Sequence, residues 1–244
     1  MQVPGHVATR PAHRLEQGWW KVRHEQKVEV TRAGGVDLAF LGDSITHSWE
    51  NGGKAVSETY YAQRKAANFG FSGDRTEHVL WRLENGELIA LQPKVVVIMI
   101  GTNNIGNGSS NPQMTADGVH AIVDMLQREI KGVKILLLGV FPRSLNAADK
   151  IRKGVAESTR LFRPLGEREN VEFLDIGKHF LCPSGEIRTT MMPDMLHPNA
   201  AGYEIWARAI EPTLARLLGE TVQVAPAQHE SAPFGRLSLG SRTV

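Results

Sequence analysis

Residues 36–46 read Val-Asp-Leu-Ala-Phe-Leu-Gly-Asp-Ser-Ile-Thr, a short apolar run that stops at Gly42-Asp43-Ser44. A run of this length bounded by turn residues predicts a buried strand, although so short a run does not exclude a helix. Glycine allows a tight exit from the strand, and small polar residues suit a loop or a helix start. Ser44 would then lie at the carboxyl end of a strand, where open α/β sheets place their ligand sites. Taken alone, Asp43 and Ser44 fit helix capping even better.

The rest of the chain alternates between predicted strands and helices. The most apolar strand contains Val95 to Ile100, mostly β-branched residues, which predicts a central parallel strand buried on both faces. The other predicted strands are 66–70, 134–141 and 171–176. Helices are predicted before Lys65 and at 76–84, 113–131, 147–163 and 198–218. This alternation predicts an α/β fold with three α/β/α layers around a doubly wound, five-stranded parallel sheet.

The length of 244 residues favours one domain with tails. We expect residues 1–18 to form an irregular lead-in, residues 19–219 the domain, and residues 220–244 a disordered, polar tail. The aromatic pair Trp19-Trp20 is expected to pack against the first strand, and His24 to be a buried, hydrogen-bonded side chain.

Composition excludes several classes of function. A formal charge of +2 is too small to indicate a nucleic-acid partner. The sequence contains no run of about 18 apolar residues, so it predicts no membrane span. The first twenty residues lack the apolar core of a signal peptide, so a cytoplasmic location is the default expectation, with secretion open if a leader was removed. Cys182 is the only cysteine, which excludes an internal disulfide and a thiolate cluster. We expect no metal and no cofactor.

Three loops that follow successive strands carry Ser44, Gly73 and Asn103, and the last helix opens with a polar cluster containing Asp194 and His197. Serine becomes a nucleophile when a histidine takes its proton, and a carboxylate orients that histidine. Acyl transfer also needs donors for the developing oxyanion, and two backbone N–H groups and an asparagine amide can supply them. Each residue has a simpler explanation, such as a turn or a helix cap. Their joint occurrence at one sheet edge favours a catalytic site.

Four short blocks carry a resemblance to a known family. They are Gly42-Asp43-Ser44-Ile45, Asn68-x-Gly70 with Gly73, Gly101-Thr102-Asn103-Asn104, and Asp194-x-x-His197. Together they resemble the SGNH, or GDSL, hydrolases, whose fold is flavodoxin-like. The run from His78 to Leu88, together with Trp20 and His24, is most similar to the catalytic subunits of intracellular platelet-activating-factor acetylhydrolase and their bacterial relatives. The similarity covers about residues 19–218.

The resemblance implies a role for each site residue. Ser44 would be the nucleophile, His197 the general base and then acid, and Asp194 its orienting partner. The Ser44 N–H, the Gly73 N–H and the Asn103 amide would form the oxyanion hole. The positions near the acyl pocket in that branch match Ile45, Thr102 and Leu196, whose bulk favours a short acyl group, and acetyl above all.

Other features implied by the resemblance are less specific. Ser72 replaces a glycine that is common in that branch, so we expect a stiffer loop. The alcohol half of the ester stays open, with lipid headgroups, acetylated sugars and xylan as candidates. The mammalian subunits of that branch are dimers, which raises a homodimer as a candidate assembly.

Other interpretations are weaker. A magnesium-dependent phosphotransferase would need a second carboxylate after Asp43, but Ser44-Ile45-Thr46 follows. The glycines at 52–53 and 106–108 lack the spacing of nucleotide-binding loops. A binding module with a dead site would have lost a triad member, and all three residues are present. His179 and Asp175 are reserve candidates for the base and the orienting carboxylate.

Overall fold

The computed structural model describes residues 5–223, and its first strand is β1, Leu38–Gly42, all of whose residues are buried. β1 pairs in parallel with a strand on each side. The other strands, also parallel, are β2 (Ala66–Gly70), β3 (Val95–Met99), β4 (Lys134–Leu138) and β5 (Val171–Leu174). The strand order β2-β1-β3-β4-β5 is that of a doubly wound sheet. The predicted α/β fold with a five-stranded parallel sheet is therefore confirmed.

Eight α-helices connect and cover the strands within residues 5–223. They are α1 (Gly18–Ala33), α2 (Ser44–His47), α3 (Lys54–Tyr61), α4 (Thr76–Glu84), α5 (Thr102–Gly106), α6 (Pro112–Glu129), α7 (Lys150–Phe162) and α8 (Ala200–Leu218). None of these helices is both long and apolar enough to cross a membrane. The predicted tail begins at residue 220, and its residues 224–244 lie outside the described part of the chain.

The sheet separates two hydrophobic cores because alternate strand residues point to opposite faces. Ala39 and Leu41 of β1 belong to one core, together with residues of α4, α6 and α7. Leu38 and Phe40 belong to the other core, with residues of α3 and α8 that include Trp206. Each face of the sheet is thus covered by helices, which is the predicted three-layer arrangement.

Within residues 5–223, helix α1 is the one long element that the sequence did not predict. Its buried residues are Trp20, Arg23, His24 and Thr31, so its inner face is largely polar and shows no apolar periodicity. Trp20 packs on the rings of His24, Phe71 and Trp81, and Trp19 stacks on His47. The contact of this pair with the first strand stays a prediction. The prediction for His24 is confirmed, because it is buried and its Nδ1 lies 2.6 Å from Glu87 Oε1.

Two glycines let the first βα turn lie close to the neighbouring strands. A Cβ on Gly42 would lie 2.3 Å from Thr46 Oγ1 and 2.4 Å from the Met99 carbonyl oxygen. A Cβ on Gly70 would lie 2.2 Å from the backbone nitrogen of His47. The absence of side chains at both positions therefore sets the place of α2 on the sheet.

Replacing Gly42 by Ala should lower the free energy of unfolding by about 2 kcal/mol or more, because the added methyl group meets backbone on one side and a helix on the other. Urea unfolding followed by circular dichroism would measure the loss. Gly18→Ala is the matched control, since a Cβ there has nothing within 4 Å. Equal stability of the two variants would contradict this account of the turn.

Candidate active site

The nucleophile candidate lies where β1 becomes α2. The Asp43 carboxylate accepts a hydrogen bond of 3.0 Å from the Ile45 N–H and caps the helix, so Ser44 is the first helical residue. The strand-end and helix-cap interpretations of this stretch are therefore both correct. They place the Ser44 hydroxyl at the carboxyl edge of the sheet.

Ser44, His197 and Asp194 form a continuous hydrogen-bonded chain. Ser44 Oγ lies 2.8 Å from His197 Nε2. His197 Nδ1 lies 2.6 Å from Asp194 Oδ2 on the opposite side of the ring. The side chains of His197 and Asp194 are 35% and 56% exposed, so the chain opens directly to solvent. The structure brings together the three residues that the sequence analysis proposed as a triad.

A tight turn presents Asp194 to the histidine. Asp194 Oδ1 accepts hydrogen bonds from the N–H groups of Leu196 at 3.0 Å and His197 at 2.7 Å. Met195 between them adopts a left-handed conformation with φ +60°, and its carbonyl accepts a bond from the Ser144 N–H. Partial burial would raise the pKa of Asp194, but the bonds from His197 and Leu196 outweigh it and hold the pKa below its usual value. Asp194 is therefore ionised at neutral pH.

The two other loops of the predicted oxyanion hole meet at Asp74. The Phe71 N–H donates to the Gly42 carbonyl, which holds the loop after β2 on the end of β1. Gly73 in that loop has φ +76°. Asn103 Nδ2 donates to the Asp74 carbonyl oxygen at 2.9 Å. A primary amide carries two N–H groups, so the second N–H of Asn103 is left for another acceptor.

Ser72 ties this loop to the helix that carries the nucleophile. Its backbone N–H donates to His47 Nδ1 at 3.3 Å, and its Oγ lies 3.0 Å from the same nitrogen. Burial, with the positive charge of Arg23 next in importance, lowers the pKa of His47 to about 4. His47 is therefore neutral near pH 7, and its Nδ1 accepts from the Ser72 N–H while the Ser72 hydroxyl lies within hydrogen-bond distance of the same lone pair. These bonds give a physical basis for the stiffer loop expected from serine at this position.

The proposed acyl-pocket residues are closely packed. Ile45 is 0% and Thr102 1% exposed, so neither side chain leaves open space. Leu196 is only half-buried and lines a cleft of about 420 Å³ together with Arg143. Arg143 Nη1 lies 3.2 Å from the Thr102 carbonyl oxygen and 3.3 Å from Thr102 Oγ1.

Sequence reasoning missed Arg143, although it follows β4 at the same sheet edge and could have been found by that position. The reserve candidates lie elsewhere: His179 is exposed on a 3-10 turn, and Asp175 accepts the Gly177 N–H at 2.9 Å. Among the described residues, no three His, Cys, Asp or Glu side chains are grouped so that they could hold a metal ion.

Asp43 is a buried carboxyl directly below the nucleophile turn. It is 1% exposed. Burial raises its pKa to about 7, helped by the negative charge of Asp74 and opposed by the Ile45 N–H and by Arg143. At pH values between the ordinary pKa of aspartate and this raised pKa, Asp43 keeps a proton in the folded protein that it has lost in the unfolded chain.

We therefore expect Asp43 to make the protein less stable as pH rises from about 4 to 7. Asp43→Asn keeps an oxygen for the Ile45 N–H but removes the titration, so its unfolding free energy should rise relative to wild type over that range, on the order of a few kcal/mol. Urea unfolding of both proteins at several pH values would measure the difference. Parallel curves would show that Asp43 does not titrate there.

The chain is similar to known proteins in sequence and in fold. The model of the GDSL-like lipase/acylhydrolase family matches residues 40–205. The alpha2 subunit of platelet-activating factor acetylhydrolase IB from Rattus norvegicus is 33% identical over 203 residues, covering 83% of this chain and 86% of that protein. The human alpha1 subunit is 33% identical over 207 residues, with the same shares covered.

Solved structures share the fold at lower identity. A GDSL-like lipase from Bacteroides thetaiotaomicron superposes with a TM-score of 0.67 at 16% identity, covering 79% of this chain and 97% of that one. The acetylxylan esterase Axe2 from Geobacillus stearothermophilus gives a TM-score of 0.59 at 22% identity, covering 80% and 98%. With its family match and these relatives, the chain belongs to the GDSL-like lipase/acylhydrolase family and is a carboxylic ester hydrolase.

Proposed function

We propose that this protein hydrolyses short-chain carboxylic esters, most readily acetyl esters, through a serine acyl-enzyme. The hydrogen-bonded chain from Ser44 Oγ through the His197 ring to Asp194 is the observation that carries the proposal. Nε2 faces the hydroxyl and Nδ1 faces the carboxylate, which is the orientation that a general base requires.

In the acylation step, His197 Nε2 takes the Ser44 proton as Oγ attacks the ester carbonyl carbon. Asp194 accepts a hydrogen bond from the Nδ1–H and stabilises the imidazolium that forms. The tetrahedral oxyanion receives hydrogen bonds from the Ser44 N–H, the Gly73 N–H and the second N–H of Asn103. When the carbonyl re-forms, the alcohol leaves with the proton from Nε2.

Water completes the cycle by the same groups. His197 takes a proton from a water molecule that attacks the acyl carbon, and returns it to Ser44 Oγ as the acid is released. The exposure of His197 and Asp194 supports direct access of that water.

An acetyl group fits the packing near the nucleophile. The side chains of Ile45 and Thr102 are almost fully buried, so a long acyl chain would have to displace them. The names of the relatives, acetylhydrolase and acetylxylan esterase, agree with this choice. Acetylated carbohydrates, including xylan, and lysophospholipid-type lipids are the alternative substrates. A homodimer and a cytoplasmic location stay predictions of the sequence.

Replacing Ser44 by Ala should lower the turnover of nitrophenyl acetate by about 10⁴-fold or more, because the variant has no nucleophile. Circular dichroism should show an unchanged fold. Ser57→Ala on α3 is the control and should hydrolyse the ester as wild type does. Unchanged turnover in Ser44→Ala would refute the mechanism. The ester would then be hydrolysed at a different site, and the site around Ser44 would be catalytically dead.

Among nitrophenyl acetate, butyrate and octanoate, we expect kcat/KM to be highest for acetate and at least about tenfold lower for octanoate, since a longer chain overpacks the pocket. Leu196→Ala should shift the preference toward butyrate, because Leu196 borders the open cleft. Octanoate being the fastest substrate would overturn the assignment of the acyl group but not that of the triad.

A further inference from the structure

The segment before α1 runs along the oxyanion side of the candidate site. Its described part, residues 5–17, is irregular apart from a 3-10 turn at Val7–Thr9. Ala8 is fully buried, and its carbonyl accepts the Thr76 hydroxyl at 2.8 Å. The Ala12 N–H donates to the Glu77 carbonyl at 3.1 Å. Both contacts hold the segment against the start of α4, just after the Gly73 loop.

Arg14 of this segment reaches into that loop. Its Nη1 donates to the Ser72 carbonyl oxygen at 2.8 Å and to Asp74 Oδ1 at 3.1 Å. Its Nη2 donates to Gln17 Oε1 at 2.8 Å, which fixes the plane of the guanidinium. The Arg14 side chain is 16% exposed and that of Asp74 0%, so these bonds are largely shielded from water.

The guanidinium occupies the space beside Gly73. A Cβ on Gly73 would lie 3.1 Å from Arg14 Nη2 and 3.2 Å from Nη1. Arg14 thus contacts both residues that flank the backbone donor, Ser72 and Asp74. The Asn103 amide, the other oxyanion donor of these loops, is also fixed to Asp74, because Asn103 Nδ2 donates to the Asp74 carbonyl. One arginine from outside the matched family region therefore clamps the loop that connects both donors.

From these contacts we infer that Arg14 is a positioning residue of the oxyanion hole. It touches no reacting atom, and it acts by fixing the direction of the Gly73 N–H and, through Asp74, of the Asn103 amide. The inference rests on the proposed function, since it assigns a role within that mechanism. A donor misplaced by about 1 Å can cost on the order of a hundredfold in rate, so a clamp of this kind has a kinetic effect without contact to the substrate.

The loss of Arg14 should loosen the loop without unfolding the protein. Asp74 keeps two other side-chain donors, Trp20 Nε1 at 2.8 Å and Arg82 Nε at 2.9 Å. The Ser72 carbonyl, by contrast, loses the side-chain donor that Arg14 supplies. The loop would therefore stay attached through Asp74 and through the contacts of Ser72 with His47. The Ser72 carbonyl, and with it the peptide plane that carries the Gly73 N–H, would no longer be fixed by a side chain.

The test begins with Arg14→Gln, using Arg10→Gln as the control, since Arg10 lies on the same segment and is exposed. With nitrophenyl acetate, kcat of Arg14→Gln should fall about tenfold or more while KM changes by less than about twofold, because the donors act mainly in the transition state. Arg10→Gln should match wild type. Arg14→Lys should restore only part of the rate, since one ammonium cannot reproduce the planar fork.

A double-mutant cycle with Asn103→Ala separates positioning from a structural effect. If Arg14 acts through the donors, Arg14→Gln should cost clearly less in the Asn103→Ala background than in wild type. Added methylguanidinium should also raise the rate of Arg14→Ala and leave that of Arg10→Gln unchanged. Additive losses, or a kcat of Arg14→Gln within twofold of wild type, would overturn the inference.

Three further outcomes distinguish the positioning role from the proposed function. If Arg14→Gln does not fold, Arg14→Lys and Gln17→Met take its place, and normal kcat in both would refute the role. If Ser44→Ala hydrolyses the ester as fast as wild type, the proposed function itself fails. Loss of activity in Ser44→Ala together with normal kinetics in Arg14→Gln would remove only the positioning role.

Discussion

The candidate site depends on the in-register parallel pairing of β1 with β2 and β3. Gly42 is the register partner of Gly70 on one side and of Met99 on the other, so the three strands end at the same level. Each strand is followed within a few residues by one polar group of the site. Because two of these strand ends are glycines, the loops can approach each other to backbone distance. Sheet pairing thus converts distances of tens of residues in sequence into hydrogen-bond contacts.

The two halves of the candidate site, one with Asp194 and His197 and one with Gly73, differ in how their geometry is fixed. The half that carries Asp194 and His197 is exposed and is held by local backbone bonds within one turn. The half that carries Gly73 is held by buried charged side chains. This difference agrees with the proposed mechanism, in which the histidine exchanges protons with water, whereas the oxyanion donors need only to keep a fixed direction.

The sequence predicted those parts of the molecule that apolar patterning controls. All five strands were predicted because they are short apolar runs ended by turn residues. Helix α1 was missed because its buried face contains Arg23, His24 and Thr31 in place of aliphatic residues. The triad positions were predictable, since Ser44 directly follows β1 and Asp194-x-x-His197 precedes the last helix, a combination that resembles a known family. The roles of these residues stay predictions.

Arg14 and Arg143 could not be predicted from a pairing of side-chain types, although Arg143 does follow β4 at the same sheet edge. Arg14 binds the Ser72 carbonyl and Arg143 the Thr102 carbonyl, and every residue of a chain offers such an oxygen. These contacts with backbone carbonyls therefore cannot be predicted from the side-chain types in the sequence. Only the folded geometry shows that both carbonyls lie next to oxyanion-hole candidates.

The charged cluster beneath the Gly73 loop has a further physical meaning. The Asp74 carboxylate accepts hydrogen bonds from Arg14, Trp20 and Arg82. Arg82 also donates to Glu87, whose carboxylate is hydrogen-bonded to His24 as well. Burying so many charges adds little to stability, because desolvation offsets much of their attraction. An apolar core of the same volume would hold the loop as firmly but with less definite orientation, whereas directional hydrogen bonds fix the peptide planes on either side of Gly73. The polar inner face of α1 and the segment before it are therefore best explained as parts of the scaffold that orients the oxyanion donors.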